Sequence, residues 1–202
     1  MTTDLLLAFT AYAFVTSITP GPNNTMLLAS GLNYGFVRSV PHILGISLGF
    51  AAMVLGVGAG LGRLFLVYPS AFTALRVIGA IYLLWLAWKI ATAEPMQEAA
   101  APSQPFGFWK AAAFQWVNPK AWIMAIGAIA AYVPADGGLL AVAVIALLFA
   151  AVNAPSVAVW AAFGTTLRRW LTDARHLRTF NVAMAVLLVL SLYPLLSGHG
   201  QA

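Results

Sequence analysis

The chain has 202 residues, 62% of them hydrophobic and only 7% charged, where a soluble globular domain carries about a quarter charged residues, so lipid is its expected solvent. Its formal net charge of +5 comes from residues scattered among apolar runs, with no basic stripe interleaved with aromatics, and nucleic acid is not an expected partner. The lack of cysteine excludes disulfides and thiolate metal sites; His42, His176 and His199 match no ligand spacing, so no metal or cofactor is expected.

In chain order, six segments reach the ~20 apolar residues that cross ~30 Å of hydrocarbon: Leu5–Leu28, Ser39–Leu61, Tyr68–Ile90, Ala111–Val133, Gly138–Thr165 and Phe180–Leu196. The first has no Lys or Arg ahead of it, unlike a cleaved signal with its positive n-region, and reads as a permanent span. The segments are apolar all round, as helices in lipid are, and lack the short alternation of barrel strands. "NYGFVR" follows the first span, "GRLFLV" the second, "PADGG" the fourth and "RRWLTDARHLR" the fifth. Residues 93–105, rich in Ala, Pro, Gln and Glu, read as a flexible linker between halves 1–92 and 106–202 of one transmembrane domain. The second span spaces Gly45, Gly49, Gly56 and Gly60 as small-xxx-small pairs, which predicts close helix packing.

Arg38, Lys89, Lys110, Arg168, Arg169, Arg175 and Arg178 fall in the odd-numbered loops, against Arg63 on the other side. The excess of Lys and Arg puts the odd loops in the cytoplasm and both termini outside.

Three spans are interrupted at similar depth: the first by "TPGPNN" (Thr19 to Asn24, with Pro20, Gly21 and Pro22), the fourth by "NPK" (Asn118, Pro119, Lys120), the fifth by "NAPS" (Asn153 to Ser156, with Pro155). Proline removes an amide donor and its ring crowds the preceding turn. In hydrocarbon the freed carbonyls need partners, so irregular backbone persists only when buried in protein or lining a wet cavity. A lone kink is ordinarily structural. Paired breaks in corresponding positions of two halves, here spans one and four, point instead to a transport site at a repeat interface. The predicted fold is therefore all-α and integral to the membrane, with six transmembrane helices in two inverted three-helix repeats and helices one, four and five broken.

Lys120 falls near the bilayer midplane, where a charge costs at least ~2.5 kcal/mol and both surfaces are beyond comfortable snorkelling reach. It has two readings: an internal structural cation held by asparagines or freed carbonyls, or a substrate contact. Arg76, two turns into the third span, is an interfacial anchor or a second substrate contact. The spans contain no Asp or Glu, so an unpaired cation favours an anionic group on a ligand, and half-helix N-termini after each break add partial positive charge. A carboxylate at Lys120, with Asn23, Asn24, Gln115, Asn118, Asn153 and Ser156 offering oxygens to an ammonium, describes a site for a zwitterion; Thr19, beside the first break, joins the set.

The stretches "TPGPNNTMLLASGLNYGFVRSVPHILGISLGF", "IGAIYLLWLAWKI", "FQWVNPKAWIMAIGAIAAYV" and "NAPSVAVWAAFGTTLRR" together resemble the lysine exporter (LysE)/homoserine–threonine resistance (RhtB) superfamily of bacterial amino-acid exporters, across nearly the whole chain. The resemblance implies amino-acid efflux from the bacterial inner membrane, coupled to the membrane potential or to protons. Pro20, Gly21, Pro22 and Asn23 match its first signature, Asn118, Pro119 and Lys120 the second, Asn153 and Pro155 the third, and a basic residue at Arg76 fits the pattern. A basic substrate requires an acidic partner for its side chain, which the second span lacks. A neutral substrate of the homoserine, threonine or branched-chain type is expected, a basic amino acid being the alternative. Proton coupling then falls to His42 or Lys120. The glycine-rich faces allow a homodimer. An intramembrane enzyme is disfavoured by the lack of paired carboxylates, a His-Glu metal motif or a Gly-x-Ser-x-Gly elbow. A non-transporting membrane subunit has little reason to keep a midplane lysine and three polar breaks. A channel predicts flux without saturation.

Overall fold

The computed structural model describes residues 3–62, 67–92, 105–134, 137–168 and 174–190, and every regular element among them is helical. The helices are α1 (Thr3–Ile18), α2 (Pro22–Tyr34), α3 (Phe36–Gly56, continued by a π turn over Val57–Leu61), α4 (Pro69–Ala91), α5 (Phe108–Val117), α6 (Pro119–Tyr132), α7 (Gly138–Arg168) and α8 (Ala174–Leu190). Three are long and apolar enough to cross a bilayer, within α3 with its π turn, α4 and α7; α1 and α2, bent by 58° at their junction, make a fourth crossing if taken as one broken span. The remaining described helices are each too short to cross alone.

Two of the three expected breaks are present. Pro22 and Pro119 both stand at the first helical position, where a missing N–H is harmless and the fixed φ favours helix, so each opens a new helix instead of kinking an old one. The third expectation is overturned, because α7 runs unbroken through Pro155. Proline leaves the carbonyl four residues earlier without its amide partner, and the next carbonyl, that of Val152, accepts from Ser156 Oγ at 2.7 Å. Beyond the proline the helix packs closely on α2. A Cβ added to Gly31 of α2 would lie 2.0 Å from the Ala161 carbonyl oxygen, and one on Gly164 of α7 would lie 2.1 Å from that of Leu28. The two backbones touch, with Thr165 Oγ1 donating to the Gly31 carbonyl at 3.2 Å.

Other boundaries shift. "NYGFVR" is no loop: α2 and α3 are separated by Gly35 alone, whose φ of 84° is open to glycine at no steric cost. The last helix starts at Ala174, six residues before the expected Phe180, so the end of "RRWLTDARHLR" is helical, while residues 191–196 of that span lie outside the described residues. Most of the 93–105 linker and residues 63–66 lie outside them too.

The glycine expectation holds at two positions: a Cβ on Gly45 would meet the Phe108 carbonyl oxygen at 2.3 Å, and one on Gly49 the Ala112 Cα at 2.5 Å, so α3 and α5 pack backbone to backbone. A Cβ on Gly56 would lie 2.9 Å from Leu61 Cδ1 of the π turn and 3.3 Å from the Trp116 ring of α5. Gly60 is a correction. Nothing lies within 4 Å of its missing Cβ; its φ of 119° marks the π turn, so conformation rather than packing requires it.

The core falls into three nuclei, two of which share α7. Phe9, Tyr12, Phe50, Tyr132 and Phe149 form an aromatic cluster toward the N-terminal end of α1, with Phe50 and Phe149 centroids 4.7 Å apart. Leu27, Ile46 and Ala161 form a second nucleus, and Met26, Leu83 and Phe114 a third. The polar site lies between the first two, bordered by Phe50 from one and Ile46 from the other.

Candidate functional site

Both broken helices end at the same narrow cleft, and each reaches across to the other. Asn23, in the first turn of α2, and Gln115, in the last turns of α5, pair through both amide groups: Asn23 Nδ2 donates to Gln115 Oε1 at 2.8 Å and Gln115 Nε2 donates back at 3.2 Å. In the opposite sense Lys120, in the first turn of α6, donates from Nζ to the carbonyl oxygens of Thr19 at 2.9 Å and Pro20 at 3.5 Å, at the end of α1. The lysine can lie there because Gly21 has no side chain; a Cβ at Gly21 would be 3.1 Å from Nζ.

Four of the carbonyls around the first break, those of Ser17, Ile18, Thr19 and Pro20, are served by side chains. Asn24 Nδ2 donates to Ser17 O and Thr19 O, both at 2.8 Å, and the Trp160 indole donates to Ile18 O at 3.2 Å. These partners fix the orientation of the Asn24 amide, and its Oδ1 is left buried on the cleft wall without a hydrogen bond. At the second break Asn118 Oδ1 accepts from the Lys120 amide at 3.1 Å and caps α6. No side chain caps α2, whose N-cap is Gly21.

The predicted site residues thus divide. Asn23, Asn24, Gln115, Asn118, Lys120 and Asn153 line the cleft together. Asn153 spends both its groups on structure, donating to Ser17 Oγ and accepting from Ser47 Oγ, each at 2.9 Å. Ser156 is turned onto its own helix, and the Thr19 hydroxyl donates back to Val15 O. Arg76 lies in α4, its side chain outside the described residues. His42 does not reach the cleft; it lines a separate, larger cavity.

Ser17, Ser47 and Trp160 escaped the sequence reading. Ser17 carried a signal, as a polar residue two positions before the break in an otherwise apolar span; the partners of Ser47 and Trp160 are set by tertiary contact alone.

The cleft contains about 350 Å³ of empty space, its open side included, yet its enclosed part has room for roughly one water. Among the described residues its lining combines one ammonium, several amides and an uncapped helix start with no carboxylate.

The LysE type translocator family matches residues 14–195 of this sequence. The chain belongs to the LysE type translocator family. Similar proteins of known name include the cysteine/O-acetylserine efflux proteins of Salmonella typhimurium strain LT2, 37% identical, and of Escherichia coli strain K12 and Shigella sonnei strain Ss046, each 36% identical; in each case the match spans 191 residues, 94% of this chain and 96% of the relative. No solved structure matches it. As a LysE type translocator with several bilayer-length apolar helices, it is a multi-pass membrane protein that moves a solute, not an enzyme.

Proposed function

We propose that the chain is a secondary exporter of small neutral amino acids, of the cysteine or O-acetylserine type, from the bacterial cytoplasm. The observation that carries this reading is the Lys120 ammonium set beside the uncapped start of α2 in a cleft without an acidic residue. A substrate carboxylate is received by Lys120 and the first-turn amides of α2, where the helix dipole is positive. Lysine Nζ has three N–H donors, and Thr19 and Pro20 occupy two. Asn24 Oδ1, buried and unbonded, accepts from the substrate's ammonium. Both readings of Lys120 then hold at once: it ties the end of α1 in place and offers its remaining proton to cargo.

The relatives' names shift the expected cargo from homoserine, threonine or branched-chain amino acids toward neutral side chains bearing a thiol or an acetyl ester. The cleft's lack of a carboxylate argues against a basic amino acid. The reciprocal reach of the two breaks supports two inverted halves, and with them six crossings and both termini outside. On this reading the aromatic cluster closes the outer side, the larger cavity opens toward the cytoplasm, and the halves rock between these states. Lys120 stands closest to the cargo as a carrier of the coupling proton, His42 being displaced from the cleft.

The test is export of radiolabelled O-acetylserine from proteoliposomes. Saturable efflux is expected from the wild type, falling to the lipid background for Lys120→Ala while membrane insertion and monodispersity in detergent are retained. Undiminished efflux by a well-folded Lys120→Ala protein would remove the lysine from the site.

A further inference from the structure

A second cavity, larger than the cleft, lies nearby. Between α2, α3 and α4 lies about 1600 Å³ of empty space, its mouth included, walled by Ser30, Asn33, His42, Trp85, Lys89 and Lys110. Among the described residues two lysines and no carboxylate line it, and their field favours an anion. At its inner wall His42 is 1% exposed, and neither ring nitrogen has a hydrogen-bond partner. A buried polar group without a partner costs about 1–3 kcal/mol, and this one stands at the edge of a space large enough for a ligand. Lys89 Nζ lies 5.6 Å from the centre of the Trp85 ring, which holds the cation against the cavity wall.

The cavity also lies on a route. α2 borders both spaces: Asn23 and Asn24 line the cleft, while Ser30 and Asn33, two to three turns further along, line the cavity. Between them the buried side chains of Met26 and Phe114 pack in one cluster, with Tyr82 stacked on Phe114 at 5.4 Å between centroids.

We propose that this cavity is a second binding site, an antechamber where the substrate's carboxylate is held by Lys89 and Lys110 and its polar end by His42 before the Met26–Phe114 plug admits it to the cleft. The inference rests on the export reading for its cargo. A neutral imidazole supplies one donor and one acceptor, which suits a small zwitterion better than a bare anion. The same lysines would attract an anionic lipid headgroup, and the experiment separates the two sources.

Binding is read in the Lys120→Ala protein, where the cleft is disabled, reconstituted in phosphatidylcholine nanodiscs. O-acetylserine is expected to change tryptophan fluorescence by an increment that Trp85→Phe removes, and adding His42→Phe is expected to weaken the apparent affinity about tenfold. In the otherwise wild-type protein His42→Phe, which keeps a ring for packing, raises KM for substrate on the cytoplasmic side by about the same factor with kcat within about twofold, and His42→Asn recovers most of the loss. No Trp85 response, or equal affinity with Phe at position 42, overturns the antechamber. So does a Trp85 response to added phosphatidylglycerol that O-acetylserine fails to compete, which would make the cavity a lipid site. A wild-type protein that exports no O-acetylserine would sink the export reading by itself, and the Trp85 titration would still decide whether the cavity binds.

Discussion

At the junction of α5 and α6 the chain departs from helix at one residue, Asn118, whose side chain turns back to cap the helix that follows. At the junction of α1 and α2 three residues depart, the helix that follows starts on a bare glycine, and Asn24, Lys120 and Trp160 all attend to the carbonyls of the helix that came before. One break is self-contained. The other has most of its carbonyl end served by side chains and its amide end left without a side-chain cap. A helix start without a side-chain cap suits an anion, so on the proposed reading the substrate's carboxylate belongs at α2, and α6 contributes the lysine rather than its own amides.

This contrast can be broken at graded cost. The largest effect is expected from Gly21→Asp, which sets a carboxylate beside Lys120 and occupies the place of the substrate's own; efflux should fall by about a hundredfold, the loss of a charge-assisted contact worth ~3 kcal/mol. Gly21→Asn, of equal size and no charge, should fall much less. Equal losses in vesicle efflux assays would mean that bulk alone matters there. A smaller effect, read by thermal melting in detergent, is expected at the other break: Asn118→Ala removes a cap and should cost about 1 kcal/mol, and Asn118→Ser should restore most of it. The smallest is Trp160→Phe, which strands the Ile18 carbonyl and should cost about 0.6 kcal/mol, the usual worth of an interhelical hydrogen bond in a bilayer. A Trp160 loss larger than that at Asn118 would show the first break to be the more heavily braced of the two.

Much of this site was legible in the sequence because the relevant physics is local. Proline beside asparagine in an apolar run must either open a new helix or strand carbonyls, and Pro22 and Pro119 did the former. Pro155, with Asn153 two residues before it, took the second course: it forfeits one amide bond inside a helix that continues unbroken and packs backbone to backbone on α2 at Gly31 and Gly164, a contact between residues more than a hundred positions apart. For the same reason the lysine's partners could not be read. Its charge and depth follow from composition, but the Thr19 carbonyl lies 101 residues away. The asparagines show a subtler limit. Six amides and hydroxyls were expected to offer oxygens to a ligand, and only Asn24 Oδ1 is unbonded, since side chains that suit a cargo suit each other equally well.

That mutual satisfaction bears on how the protein behaves in a cell. On the proposed reading Asn23 and Gln115 clasp one another across the space that cargo enters, so every molecule carried has first to prise them apart, and its grip is weaker by that amount. A carrier built this way stays idle while its solute is scarce and engages as the solute accumulates. Loose holding is the trait wanted of a relief valve, which must spare the ordinary supply and let go quickly on the far side.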